Sequence, residues 1–349
     1  MQAFQCELPV VFRPHTHEAL SSWLARIAGV YHLDLAALVS ECLGWKPETL
    51  AEIDLEPSAT TLDDLSRLTR ADQSVVAHCT VRGVNPEWLP DWVTLQTAGL
   101  HLNHQTTFFP TGVRFQFCMA CLEDDLGPGD QFIRIEWLCA AVTICGKHRI
   151  PLQACEEPLS ALQCRHGRNG ARFTFHSGSR DLYLDSHRHR GPLSALSSFE
   201  QALKCALTGR IRAEALGGQE FIAVVTDLTW ALLQMVASDG TRLAHHLQVE
   251  QFPVPPGWRA RIMLHTLSRV DLRFRRAILA IIACLLLPKY FAAMASTSSH
   301  LGRPDTCSRL LRILGPEQAD ALLARAPRWP PYFRMRMMRP SHQTSKIVR

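Results

Sequence analysis

The sequence predicts a mainly α-helical protein: a helical N-terminal domain with a helix-turn-helix-like unit, a small zinc ribbon in the middle, and a helical C-terminal domain. Three observations predict it. Apolar residues recur at three- and four-residue spacings in both flanks of the chain. Between them that periodicity gives way to clustered cysteines, polar turns and short β-branched segments. Within this middle part lie two cysteine/histidine pairs with metal-knuckle spacing. The expected division is 1–110, 111–190 and 191–349. At 349 residues, 47% of them hydrophobic and 20% charged, the chain has the composition of an ordinary globular protein, which excludes wholesale disorder, collagen and coiled coil.

Residues 18–43 are helical in pattern, with Leu20, Trp23, Leu24, Ile27 and Ala28 on one stripe. Gly29 is the candidate break before a second helix in which Leu35, Leu38 and Val39 share a side. Residues 61–81 read as two short helices around Ala71-Asp72-Gln73. Thr61 is the expected N-cap, with Asp64 three residues on. Leu62, Leu65 and Leu68 form one stripe; Val75, Val76 and Cys79 lie on the second helix. Its polar residues, Gln73, Ser74, His78, Thr80 and Arg82, are poor in the side chains that read bases, so a structural or protein-binding role is favoured. The stretch after Gly83 reads as a packed connector rich in aromatics, Pro and Gly.

In the middle, Cys118-Met-Ala-Cys121 is followed after a gap by Cys145-Gly-Lys-His148. Three thiolates and one imidazole make a closed tetrahedral zinc site, with both side chains of each knuckle reaching one ion. Four protein ligands leave no open position, so one structural Zn2+ is expected and not a hydrolytic centre. The bland alternative is two unrelated pairs of buried cysteines. Cys155, Cys164 and His166 are a doubtful second set, because C-x8-C-x-H matches no standard knuckle. Cys139 reads as a buried thiol. The alternating ARFTFHSGSRDLYL suggests a hairpin.

From Pro192 the chain is helical again. The run Ala277–Leu287 spans 11 residues, against the roughly 20 a membrane helix needs, and reads as a buried core helix. The ending RMRMMRPSHQTSKIVR reads as a frayed basic tail. No signal peptide or membrane span is expected, so the expected location is cytoplasmic.

The residues Glu18-Ala-Leu-Ser-Ser-Trp-Leu-Ala-Arg-Ile-Ala28, the Leu62–Val81 unit and the segment from Phe117 through Trp137 to Leu152 together resemble the TniQ family, which includes the TnsD-like target selectors. The resemblance covers about residues 8–155. Family members commonly carry C-P-x-C after the first zinc ligands; here the place reads Cys155-Glu-Glu-Pro158, without the second cysteine. The resemblance implies a non-enzymatic DNA-transposition accessory: a target-selection adaptor that binds target DNA or a target-marking complex and recruits an AAA+ ATPase and a transposase. A marking complex can itself be RNA-guided. The alternative is a standalone zinc and helix-turn-helix transcriptional regulator. No G-x-x-x-x-G-K-[ST] phosphate loop is present, so the chain is not the ATPase itself.

Charge is polarised. Residues 1–110 hold 6 basic and 13 acidic residues, and residues 250–349 hold 17 and 5. Arg259, Arg261, Arg269, Arg273 and Arg276 are the candidate nucleic-acid contacts, with Arg269, Arg273 and Arg276 on one helical face opposite Phe274, Ile278 and Ile281.

Overall fold

A computed structural model describes residues 7–46, 53–84, 116–126, 130–154, 163–167, 170–174, 196–203, 220–232, 272–286 and 306–338. The chain divides into two compact units, Met1–Leu184 and Asp185–Arg349. The described residues are mostly helical, as the sequence predicts.

The first unit begins with α1 (Leu20–Val30), whose Leu20, Trp23, Leu24, Ile27 and Ala28 are fully buried. Ala19 precedes it and offers no side-chain cap. A carboxylate far along the chain takes that place: the Ser21 N–H and hydroxyl donate to Asp54 at 2.7 and 2.6 Å. Burial pushes the Asp54 carboxyl up to about 6, against the pull of its Ser21 hydrogen bonds. The Asp54 and Leu55 carbonyls accept from the Val81 and Arg82 amides, so one short segment ties the start of α1 to residues 81–82.

Gly29 does not break α1, which runs on to Val30. A Cβ there would lie 2.3 Å from the Cys164 carbonyl oxygen, so the glycine lets a strand backbone lie directly on the helix. The turn comes later, at His32, with a φ of 59°. α2 (Leu35–Leu43) is capped by Asp34, which accepts from the Ala37 amide, and ends at Gly44 in the left-handed region.

α3 (Ala59–Thr69) starts three residues earlier than expected. Ser58, not Thr61, is the N-cap, and its hydroxyl accepts from the Thr61 amide. Leu65 and Leu68 are buried, while Leu62 is half-buried. After a turn through Arg70, the expected second helix is split into α4 (Gln73–Ala77) and α5 (Val81–Val84). Thr80 is buried, and Arg82 forms a two-pronged pair with Glu56, both bonds 3.0 Å.

The cysteine-rich part is built from β1 (Gln116–Phe117), α6 (Met119–Asp125), a 3-10 turn at Ile135–Leu138 and β2 (Gln153–Ala154), with β1 and β2 antiparallel. Then β3 (Gln163–Gly167) pairs antiparallel with β4 (Gly170–Thr174). The start of the alternating segment thus pairs with the strand before it, a hairpin the sequence pattern did not single out. The remainder of that segment, 175–184, lies outside the described residues.

A buried charge cluster joins these parts. Glu18, Ser22 and Arg26 stand one turn apart along one face. Arg26 donates to both Glu18 oxygens at 2.8 and 2.7 Å and to Asp130 at 2.8 Å, and its guanidinium lies over the Phe12 ring. Glu18 also accepts from the Ser22 hydroxyl and the His15 amide. The Ile133 amide donates to the Ser22 hydroxyl, and the Ala19 amide to the Ile133 carbonyl. Asp130 reaches on to β4 through the Ala171 amide, 2.7 Å away. Burial raises the Asp130 carboxyl, but that amide and Arg26 outweigh it and hold the group below its ordinary range.

In the second unit, helices 196–203 (α7) and 220–232 (α8) meet through the Phe199 and Phe221 rings, centroids 5.9 Å apart. α9 (Leu272–Leu286) buries Ile278, Leu279, Ile282 and Leu285, as expected of a core helix. Among the described residues, no helix is long and apolar enough to cross a membrane. α10 (Thr306–Leu314) and α11 (Pro316–Leu323) join at Gly315, whose φ is 77°. The frayed-tail expectation fails for residues 334–338. They belong to α12 (Pro331–Met338), held by buried Phe333 and Met337. Residues 339–349 lie outside the described residues.

Candidate metal centre

Phe117, fully buried in β1, delivers Cys118 to the position just before α6, and Cys121 follows one turn on. The second knuckle is a tight turn. The Cys145 amide donates to the Ile150 carbonyl at 2.8 Å, and the Arg149 amide to the Cys145 carbonyl at 2.9 Å, with Arg149 at a φ of 56°. Each knuckle aims an amide at its first sulfur: Cys121 N–H at Cys118, and His148 N–H at Cys145 at 3.4 Å.

These turns bring Cys118, Cys121, Cys145 and His148 together, their ligand atoms all within 4.8 Å of one another. Cys121 and Cys145 sulfurs are 3.6 Å apart, and His148 Nδ1 lies 3.5, 3.3 and 3.7 Å from Cys118, Cys121 and Cys145. Sulfurs about 2.3 Å from a tetrahedral zinc stand roughly 3.8 Å apart, so the cluster has the dimensions of a closed site. Its electrostatics ask for a cation. Hydrogen bonding with Cys118 and Cys145 drives the Cys121 thiol up, while bonds to Cys118 and Cys121 drive Cys145 down. Three thiolates this close repel one another, and a divalent ion allows all three to ionise together. The set can hold a metal ion.

Outside the cluster, His148 Nε2 lies 3.0 Å from Asp124 Oδ2, and Lys147 pairs with the same carboxylate. Lys147 above all, with His148, holds the Asp124 carboxyl low against its desolvation. The carboxylate fixes the tautomer in which Nδ1 faces the sulfurs. The spacing pattern did not single out Asp124, although Glu-Asp-Asp follows the first knuckle directly.

The other candidates fare differently. Among the described residues no second metal group forms. Burial pushes the Cys164 thiol up to about 12, and His166 Nε2 lies 2.8 Å from the Arg26 carbonyl, so both serve the packing of β3 on α1. Cys155 lies outside the described residues, as do Arg259, Arg261 and Arg269. Arg273 lies on α9. Arg276, expected to contact nucleic acid, is instead 3% exposed, and its neighbour Arg275 is also buried. The helical wheel alone placed Arg276 away from the apolar side, but α9 is covered on more of its circumference than that stripe.

A closed Cys3His cluster pinned to helix α1 by a buried Glu–Ser–Arg row defines a mostly helical protein with a cysteine-rich element able to hold a metal ion. Residues 9–152 match the model of the family TniQ, so this part of the chain is similar to that family. No curated protein matches the chain, and no solved structure does.

Proposed function

We propose that the chain is a non-enzymatic target-selection adaptor of a DNA transposon. It binds target DNA, or a complex marking the target, and recruits the AAA+ ATPase and transposase. The observation that carries the reading is the TniQ match over residues 9–152. The Cys118, Cys121, Cys145 and His148 set takes one structural Zn2+, which locks the ribbon and leaves no position for a substrate. The acidic N-terminal part, with 13 carboxylates against 6 basic residues, suits protein contacts better than a phosphate backbone, and the basic C-terminal third suits nucleic acid.

The test is a search of the neighbouring genes for an AAA+ ATPase and a transposase, co-purification of the tagged full chain with any found, and an insertion assay in cells. Retention of the ATPase, and loss of targeted insertion when Cys118→Ser removes a ligand, supports the adaptor. A chain that captures neither protein but represses its own promoter is instead a regulator. Capture that occurs only with an RNA-guided complex present assigns target reading to that complex.

A further inference from the structure

The second unit holds a buried carboxylate with more cationic partners than neutrality needs. Asp227, on α8, is fully buried. Arg328 grips it with two N–H groups, Nε at 3.0 Å to Oδ2 and Nη2 to Oδ1. Arg325 donates Nη1 to Oδ1 at 3.2 Å, and the Trp329 indole N–H donates to Oδ2 at 2.8 Å. One arginine would balance the charge; the second leaves a surplus of one positive charge. Neither guanidinium is buried like its acceptor, the two side chains being 30% and 33% exposed.

The arrangement also fixes their geometry. The Arg325 guanidinium lies over the Trp230 ring, 4.0 Å from its centroid. Arg328 is locked by its fork on Asp227 and by the turn at Ala326–Arg328. Among the described residues, Arg325 Nε and Nη2 and Arg328 Nη1 meet no other acceptor. Two ordered, partly exposed guanidinia with unused donors and excess charge are suited to a doubly coordinated phosphate. The surrounding segment 306–338 carries six arginines against Glu317 and Asp320.

We propose that Arg325 and Arg328 form a preorganised nucleic-acid phosphate clamp, with Asp227, Trp230 and Trp329 as its positioning residues. The proposal rests on the nucleic-acid partner in the reading above. It places the contact on the α11–α12 connection and away from Arg276, whose buried guanidinium cannot meet a backbone. Recognition is of phosphate, so binding is indifferent to base sequence.

The test uses the full chain and a fluorescent random-sequence DNA duplex, with affinity read by anisotropy between about 50 and 200 mM salt. Arg325→Gln is the informative variant, because Arg328 and Trp329 still satisfy Asp227. It should weaken binding at every sequence and lower the log–log salt slope by about 0.9, the share of a single phosphate. Unchanged affinity and slope would overturn the clamp. A second measurement needs no variant: mass mapping of arginine modification by a dicarbonyl reagent on the unmutated chain. Both duplex DNA and duplex RNA should protect Arg325 and Arg328. No protection, or protection by inorganic polyphosphate alone, overturns the proposal. Capture of the ATPase reports separately on the adaptor reading and should be unchanged in Arg325→Gln.

Discussion

Replacing Arg26 by Met should remove the bolt between α1 and the ribbon. The guanidinium is 1% exposed and makes three charge-assisted bonds, at 2.8, 2.7 and 2.8 Å, to Glu18 and Asp130. The methionine fills much of the volume but leaves Glu18, fully buried, with the Ser22 hydroxyl and the His15 amide as partners. Removing one partner of a buried ion pair costs about 3–5 kcal/mol, a large share of the roughly 5–15 kcal/mol that keeps a domain folded. For a unit of this size the midpoint should fall by roughly 10 °C. The assay is chemical and thermal unfolding of Arg26→Met, Glu18→Gln and the double variant. Most of the Arg26→Met cost is the stranded carboxylate. The double variant should therefore be less destabilised than the sum of the two, by about 2 kcal/mol. Additive effects, or a cost for Arg26→Met below about 1 kcal/mol, would refute the claim that the cluster holds the two parts together.

Three further outcomes are expected. Asp124→Asn should weaken binding of added Zn2+, used as the probe ion, by about 10–100-fold in competition with a chromogenic chelator, since the carboxylate that orients His148 becomes a weaker acceptor; unchanged affinity would mean the imidazole is held by the knuckle alone. Gly29→Ala should destabilise the fold by about 1–3 kcal/mol although alanine is the better helix former, because its Cβ meets the Cys164 backbone at 2.3 Å; a raised unfolding midpoint would show that β3 moves aside at no cost. Asp54 has its folded pKa raised from 3.8 to about 6, so the folded state binds the extra proton, and stability is lost as pH climbs through that window. Asp54→Asn removes this dependence. Relative to the unmutated chain it should gain about 2 kcal/mol between roughly pH 4.5 and 7.5, read by urea unfolding at both values; a constant difference would count against the buried carboxylate as the cause.

The cluster of Cys118, Cys121, Cys145 and His148 was legible because a knuckle is local: two side chains and a turn fit within four residues, and two such units need only meet. The α1 and α2 stripes and the apolar run of α9 were legible for the same reason. What escaped depended on distant partners. Glu18, Ser22 and Arg26 show helical spacing in the sequence, but nothing local marks the row as buried, since Asp130 and Ile133 lie over a hundred residues away. Asp54 and Asp227 look like surface carboxylates until Ser21 and the Arg325–Trp329 segment are brought against them. Gly29 read as a helix breaker because its real reason, the Cys164 carbonyl, belongs to another element. Arg276 was misplaced because a helical wheel shows which residues share a face, not how many faces are covered.

The separation between Arg26 and Asp130 also sets an order of events during synthesis. The two are 104 residues apart, so at about 5–20 residues per second α1 leaves the ribosome roughly 5–20 s before its counterpart exists. Throughout that interval Glu18, just ahead of α1, and Arg26, on it beside Trp23 and Leu24, cannot yet be buried, and Gly29 awaits a strand still further along the chain. The N-terminal segment is therefore a client of its own later sequence. It completes its fold only after the cysteine knuckles have been made, and a chain stopped short of residue 174 releases a helix whose ionised face has no place to go.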